Sequence, residues 1–329
     1  MRYRKIGTTD IKGSVVAFGS WAIGGGMWWG KTDDDESIMT IHAALDAGIT
    51  LFDTAPVYGF GRSEEVLGKA LKGKRDKVVI ATKCGLWWED NSGSFFFEVD
   101  GRNVNRCLRP ATIVREVENS LKRLDTDYID LLQTHWQAVE PDKTPIAETM
   151  GCLLKLKAQG KIRAIGVSNA TCAEMDEYRQ AGVIDACQPR YSMLDRKIEA
   201  DILPYCIKHG IAALAYSPLE QGLLTGKIGM DKTFSEKEFR NSIPWFKPEN
   251  RKKVLDMLAG WRGLTEKHKC TISQLVIAWT FSQPGVTFAL CGARKPANVT
   301  ENAAAVDVAL SKEDIFLMRK DVEALGQPA

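Results

Sequence analysis

Short apolar runs of strand length alternate with stretches of helical period along nearly the whole chain. That alternation restricts the fold more than any other feature. The strand-like runs span residues 14–18, 49–53, 78–82, 129–134, 162–167, 186–188, 211–216 and 288–291. Helical patterns follow each of them, over 33–47, 63–71, 111–124, 145–159, 172–181, 197–209, about 249–268 and 296–305. The strand runs are continuously apolar, as parallel strands buried on both faces are. Acidic residues crowd the start of the first helix, where the helix dipole favours them, and Ser63 with the glutamates after it reads as an N-cap. Eight βα units in 329 residues predict a single-domain (β/α)8 TIM barrel over 1–329. A doubly wound open sheet is the alternative, but it wants a Gly-x-Gly-x-x-Gly turn after the first strand. Gly24, Gly25 and Gly26 do not have that spacing.

Three pieces fall outside the repeat. Residues 2–12 suggest a hairpin turning at 7–10 that plugs the barrel's bottom, 271–282 an extra helix before the last strand, and 311–322 a terminal amphipathic helix. Two long irregular stretches, 85–109 and 219–247, follow the third and seventh strands. Both belong at the C-terminal face, where barrel active sites lie, and loops this long are commonly lids.

The net charge of +2 provides no field for nucleic acid or an anionic membrane. The apolar stretch 15–30 is too broken by glycine for a membrane span and lies in the wrong place for a signal peptide. The eight cysteines form no C-x-x-C and none sits near a histidine at zinc-ligand spacing, so they read as free thiols in a reducing, cytoplasmic setting, with no metal site.

Four polar residues stand out against this frame. Asp53, Lys83 and His135 each end an apolar strand run, and Tyr58 lies five residues beyond Asp53 in a loop. Each alone has an ordinary explanation: a turn aspartate, a lysine laid along apolar surface, a loop tyrosine. His42, His209 and His268 lie in helical patterns and read as solvated, whereas His135 ends a strand. At the mouth of one barrel the four become a proton-delivery unit. An ammonium beside a phenol favours phenolate and lowers its pKa, an aspartate keeps the ammonium charged, and an imidazole holds the reacting oxygen. Protonating a carbonyl oxygen calls for a hydride as well, which no side chain supplies, so a cofactor is required.

The chain resembles the aldo-keto reductase superfamily over nearly its full length, in LFDTAPVYGFGRSEEVLGKAL, VVIATKCG, SLKRLDTDYIDLLQTHW, GKIRAIGVSN, LAYSPLEQGLLTGK and GARKPANVTEN. It looks most like the bacterial branch with inositol-catabolism-type and general-stress reductases. The resemblance implies Tyr58 as general acid, Lys83 tuning it, Asp53 pairing Lys83, and His135 orienting the substrate carbonyl. It also implies a nicotinamide cofactor extended across the barrel mouth. Ser168, Asn169 and Gln188 would hold the carboxamide, and Tyr216 would lie under the ring. Ser217, Leu219, Gln221 and Gly222 would wrap the pyrophosphate, and Ser20, Trp21, Asp53 and Pro218 would also contact the cofactor. Gly292, Arg294, Asn298, Glu301 and Asn302 would meet the adenosine end. For Ser168 and Asn169 a helix cap after strand five is the plain alternative. Pro296 suits the first turn of a helix whose N–H groups favour phosphate. Arg294 and Lys295 stand just before it, which favours NADPH and leaves NADH possible. Relatives often carry a cation where Gly292 and Asn298 stand here, so Arg294 would carry the phosphate contact.

Aromatic residues crowd the expected top loops: Trp21, Trp28, Trp29, Trp87, Trp88, Trp136 and the run 95–97. Trp21 and Trp88, with Tyr58 and His135, are the expected substrate walls, and Glu89, Asp90 and Asn91 the expected hydroxyl ligands of a sugar or keto-sugar. The substrate is thus a small carbonyl compound; oligomeric state is open. Two other classes compete. A cofactor-binding regulatory subunit of the same fold would keep the four residues but expects a partner-binding tail before the barrel. A metal-dependent hydrolase would need several histidine and aspartate ligands at strand ends, and His135 is the one histidine so placed.

Overall fold

The structure, a computed structural model, describes residues 1–234 and 238–328. Eight parallel strands close into a barrel: Val16–Gly19, Leu51–Asp53, Val79–Cys84, Ile129–Thr134, Ile162–Ser168, Ala186–Gln188, Ala212–Tyr216 and Val286–Gly292, each paired with its chain neighbours and the last with the first. The fold is a TIM barrel, as the alternation of elements predicts.

The strand period of two explains how an apolar barrel presents a polar mouth. Inward positions begin apolar: Leu51, Val79, Ala81, Leu131, Ala186 and Leu214 share one buried cluster. Two residues further along the same strand faces stand Asp53, Lys83, Gln133, Gln188 and Tyr216. The lower end of that cluster is closed by the N-terminal hairpin, Tyr3–Lys5 against Lys12–Ser14, whose Ile6 and Ile11 are buried in the barrel cluster. The second apolar layer lies between strands and surrounding helices.

Several expected elements take a different form. Ser63 is no N-cap: the helix Arg62–Leu71 is capped by Gly61, and the Ser63 hydroxyl lies buried against Ser20 Oγ at 2.7 Å. The expected helix over 249–268 is two, Pro248–Gly260 and Arg262–His268, parted at Trp261. That indole is buried and donates to Asp321 at 2.8 Å. Residues 85–109 are not irregular. They form a three-stranded antiparallel flap, Leu86–Trp87, Ser94–Val99 and Arg102–Arg106, with Asp100 and Gly101 both at positive φ in its tight turn. Within 219–247 the chain makes 3₁₀ turns at Glu220–Thr225, Phe239–Ser242 and Pro244–Phe246; residues 235–237 lie outside the described part.

The first two top loops are pressed together at backbone level. A Cβ on Gly24 would meet the Tyr58 carbonyl carbon at 2.6 Å, and one on Gly59, at φ +66°, would meet the Gly24 oxygen at 2.2 Å. Only glycine permits this approach. Among the described residues no helix is long and apolar enough to cross a membrane, and all eight cysteines are free.

Candidate active site

Barrel strand three carries Lys83 to the mouth with almost no solvent contact, 1% exposed. A buried ammonium must be matched, and three oxygens do so. Lys83 Nζ donates to Asp53 Oδ2 at 2.7 Å, to the Thr54 carbonyl at 2.9 Å and to the Tyr58 hydroxyl at 3.2 Å. Asp53 is held in turn by amides from across the barrel: Gln188 Nε2 donates to its Oδ1 at 2.7 Å and Gln133 Nε2 at 3.3 Å. Tyr58 faces His135 edge-on, ring centroids 5.8 Å apart. The structure thus brings the four expected residues together. Gln133 completes the arrangement and is absent from the sequence expectation. Its signal was a polar side chain two positions past Leu131 on an inward strand face.

Electrostatics assign the protonation states. Burial raises the Tyr58 phenol above its usual 10.0, with Lys83 pulling the other way. The ammonium does pull the phenol down, as expected, but in the free protein desolvation outweighs it and the net shift is upward. Tyr58 is a protonated donor at neutral pH. Burial works against the Lys83 charge, but Asp53 and Tyr58 together outweigh it, and the ammonium is held above its usual 10.5. His135 is held well below its usual 6.5 by burial and then by Lys83, so its ring is neutral. A folded histidine that resists protonation costs stability in acid, since the unfolded chain takes up the proton first. The contribution is intact above pH 6.5 and is lost progressively as pH falls below it. Urea midpoints at pH 7 and pH 5 should therefore drop further for the wild type than for His135→Gln. An equal drop would show that His135 titrates normally.

A cleft of ≈ 800 Å³ opens from this cluster across the barrel mouth. Its wall includes Asp53, Tyr58 and His135 and, of the residues expected at a cofactor, Trp21, Ser168, Asn169, Gln188, Tyr216, Ser217, Pro218, Leu219, Gln221, Gly222, Gly292, Arg294, Asn298, Glu301 and Asn302. Ser20 is not on that wall. It is fully buried behind it, its hydroxyl donating to the Asp53 carbonyl at 2.8 Å. The amide wall is knitted internally: Tyr216 Oη donates to Asn169 Oδ1 at 2.9 Å, Asn169 Nδ2 to the His135 carbonyl at 3.0 Å, and Ser168 Oγ to the Gln188 carbonyl at 2.8 Å. Asn169, Ser217 and Gln221 adopt positive φ, a strained conformation in non-glycine residues that gathers at ligand sites. Gln221 Oε1 is buried there without a hydrogen-bond partner, and a polar ligand would satisfy it.

At the far end, Arg294 is exposed but tied. It donates to the Trp29 carbonyl at 3.1 Å and the Lys31 carbonyl at 2.8 Å. Glu301 is paired with Lys227 across the cleft at 2.5 Å. Lys295 caps the helix Pro296–Ala303, with Pro296 in its first turn as expected.

On the substrate side Trp21 is a hub, within 5.2–6.3 Å of the rings of Trp28, Trp29, Tyr58 and Phe239. Trp88 is not on the cleft wall; its ring packs on Phe60 at 5.2 Å. Glu89 pairs with Arg115, and Asp90 accepts from Trp87 Nε1 at 2.7 Å, so neither is a free hydroxyl ligand. Phe96, Phe97, Glu98, Phe239 and Arg240 line the cleft instead. Of the other histidines, His42 and His268 are half-buried and bonded to the Ala70 carbonyl and Asp314, both at 2.9 Å, rather than solvated.

Known proteins share this architecture. The pattern of the Aldo/keto reductase family matches residues 15–321. An NADH-specific methylglyoxal reductase of Escherichia coli is 47% identical, with 99% of each chain covered. The aldo-keto reductase YhdN of Bacillus subtilis is 44% identical over 99% of this chain and 93% of its own. Among solved structures, the glycerol dehydrogenase AKR11B4 from Gluconobacter oxydans superposes with a TM-score of 0.86 at 43% identity, covering 99% of this chain and 96% of that one. An aldo-keto reductase from Klebsiella pneumoniae in complex with NADPH aligns with a TM-score of 0.72 at 27% identity, over 97% and 95%. A barrel with a buried lysine–aspartate pair behind a cleft-lining tyrosine, matched by the family pattern over almost its whole length, places the chain in the aldo/keto reductase family, whose members are nicotinamide-dependent oxidoreductases.

Proposed function

We propose that the protein reduces an aldehyde or ketone to the alcohol, reversibly, with Tyr58 as the general acid. The observation that carries this reading is the 3.2 Å contact from the buried Lys83 ammonium to the Tyr58 hydroxyl at the head of the cleft. When bound, the nicotinamide cofactor supplies the hydride that no side chain can. Tyr58, protonated at neutral pH, donates to the carbonyl oxygen as negative charge develops there. Lys83 stabilises the phenolate left behind, at the moment the phenol's own burial disfavours it. Neutral His135 can donate a second hydrogen bond to the same oxygen from a ring N–H. Asp53, pinned by two glutamine amides, fixes where the ammonium points.

The residues present fit a nicotinamide cofactor. Ser168, Asn169 and Gln188 are amide and hydroxyl groups beside the catalytic cluster, and Tyr216 offers an aromatic face on the same wall. The turn 217–222 and the helix start at Pro296 suit the phosphates. Arg294 and Lys295 remain the groups for a 2′-phosphate, which favours NADPH. Arg294 already donates to two carbonyls, so the phosphate replaces bonds rather than adding them. The preference over NADH is correspondingly small, about tenfold or less, worth roughly 1.4 kcal/mol.

Relatives named for methylglyoxal and glycerol make small oxygenated carbonyls the first candidates. The test is a panel of methylglyoxal, glyceraldehyde, dihydroxyacetone and keto-sugars, followed as oxidation of NADPH and of NADH. Turnover with both cofactors is expected. Tight cofactor binding with no carbonyl reduced would sink the reading in favour of a regulatory protein.

A further inference from the structure

Glu220 is a fully buried carboxylate that the chemistry above does not use. It lies inside the turn 217–222, between Leu219 and Gln221, which both line the cleft while Glu220 does not. Its side chain runs the other way, to the segment that follows the sixth barrel strand. Ser192 Oγ donates to Glu220 Oε1, and Arg190 Nη2 donates to Oε2 at 2.6 Å. That anchor is itself fixed. Ser192 Oγ accepts from the backbone N–H groups of Leu194 and Asp195, both at 3.1 Å, and Arg190 also pairs with Asp195 at 3.3 Å. Backbone bonds tie the same segment to the seventh strand. The Tyr216 N–H donates to the Pro189 carbonyl and the Tyr191 N–H to the Tyr216 carbonyl, both at 3.1 Å.

The turn needs such an anchor. Ser217, Glu220 and Gln221 have φ of +61°, +44° and +48°, in the left-handed region that L side chains enter at a cost. Conformations of this kind persist where the surroundings over-determine them. Bonds within the turn include the Glu220 N–H to the Ser217 carbonyl at 3.0 Å, the Gly222 N–H to the Leu219 carbonyl at 2.9 Å and Gln221 Nε2 to Ser217 Oγ at 2.9 Å. These tie the turn to itself. The Glu220 carboxylate ties it to the barrel, through Arg190 and Ser192. Removing that carboxylate strands no buried charge, because Arg190 keeps Asp195 and a side chain 36% exposed. The fold should therefore survive its loss.

We propose that Glu220 is a positioning residue for the cofactor: it sets the turn 217–222 in its binding shape before a nucleotide diphosphate arrives. This rests on reading the turn as the diphosphate site of the proposed reductase. A preset turn costs little to order on binding. A relaxed one lowers apparent affinity in proportion to the fraction still competent to bind.

The experiment compares wild type with Glu220→Ala and Glu220→Gln. Kd values for NADPH, ADP-ribose and adenosine 2′-monophosphate are measured by calorimetry. The first two carry the diphosphate; the third reaches only the adenosine end. Glu220→Ala should weaken NADPH and ADP-ribose about tenfold or more and leave adenosine 2′-monophosphate within about twofold. The cofactor KM should rise with the Kd, and kcat at saturating cofactor should not fall. Glu220→Gln, which can still accept from Ser192, should lie in between. Hydrogen exchange reads the turn itself. In free Glu220→Ala the amides of 218–224 should exchange faster than in free wild type, and saturating NADPH should remove most of the difference. Equal loss on all three ligands, no loss on any, or unchanged exchange in the free turn overturns the positioning role and leaves the reductase reading standing. Wild type that binds neither diphosphate ligand overturns the cofactor reading of the cleft, and this inference with it.

Discussion

Tyr58→Phe is expected to lower kcat for carbonyl reduction by about 10²–10⁴-fold, the usual contribution of a positioned general acid. The change removes one oxygen and leaves the ring between Trp21 and His135, so the aromatic wall should persist. Cofactor affinity, read by fluorescence titration, should stay within about twofold, because the cofactor wall is built from other strands and loops. Equal loss of cofactor binding and turnover would mean that Tyr58 is a wall residue and not the acid. Activity near wild type would move the proton source elsewhere.

The second large effect is on stability. Lys83→Met strands the Asp53 carboxylate in a place 4% exposed, with two amides but no cation. Removing one partner of a buried pair typically costs about 3–5 kcal/mol. Activity should fall with it, since nothing then stabilises a Tyr58 phenolate. The two losses separate in the double variant. Adding Asp53→Asn to Lys83→Met removes the stranded charge and should recover much of the urea midpoint while activity stays lost. A double variant no more stable than Lys83→Met would show that the pair is not the source of the cost. The pH sense follows from the raised Lys83 pKa. Its contribution is complete below the ordinary lysine value of 10.5 and fades only as pH rises through the higher folded one, so the pair stays intact across the neutral range.

The barrel was legible because parallel strands buried on both faces must be apolar throughout, and each run therefore announces itself. Three residues of the candidate site are legible for the converse reason: Asp53, Lys83 and His135 are polar groups at the ends of such runs. Tyr58 sits in a loop and was found through the company of the other three and the family motif around it. Gln133 is harder to read, because an amide inside IDLLQT looks like tolerated polarity and only the fold shows that it meets Asp53. The flap has a readable signal in the sequence. Asp100-Gly101 is a hairpin-turn pair, yet the aromatic run 95–97 before it reads first as a pocket wall. Trp88 was misplaced for a general reason: loop position limits where a side chain starts but not which way it points, and here it packs on Phe60. Glu89 and Asp90 read as substrate ligands in the sequence, which cannot show that Arg115 and the Trp87 indole already hold them.

The backbone contact between Gly24 and Gly59 bears on how such a barrel can be redesigned. Transplanting top loops between barrels treats each as a separable module. Here the first two are one module, because the backbone of Gly24 packs directly on that of Tyr58 and Gly59. A graft that begins before Gly24 would unseat Tyr58 as well as change the pocket. One confined to residues 26–31, which carry Trp28 and Trp29, would alter the wall and leave Tyr58 where it is.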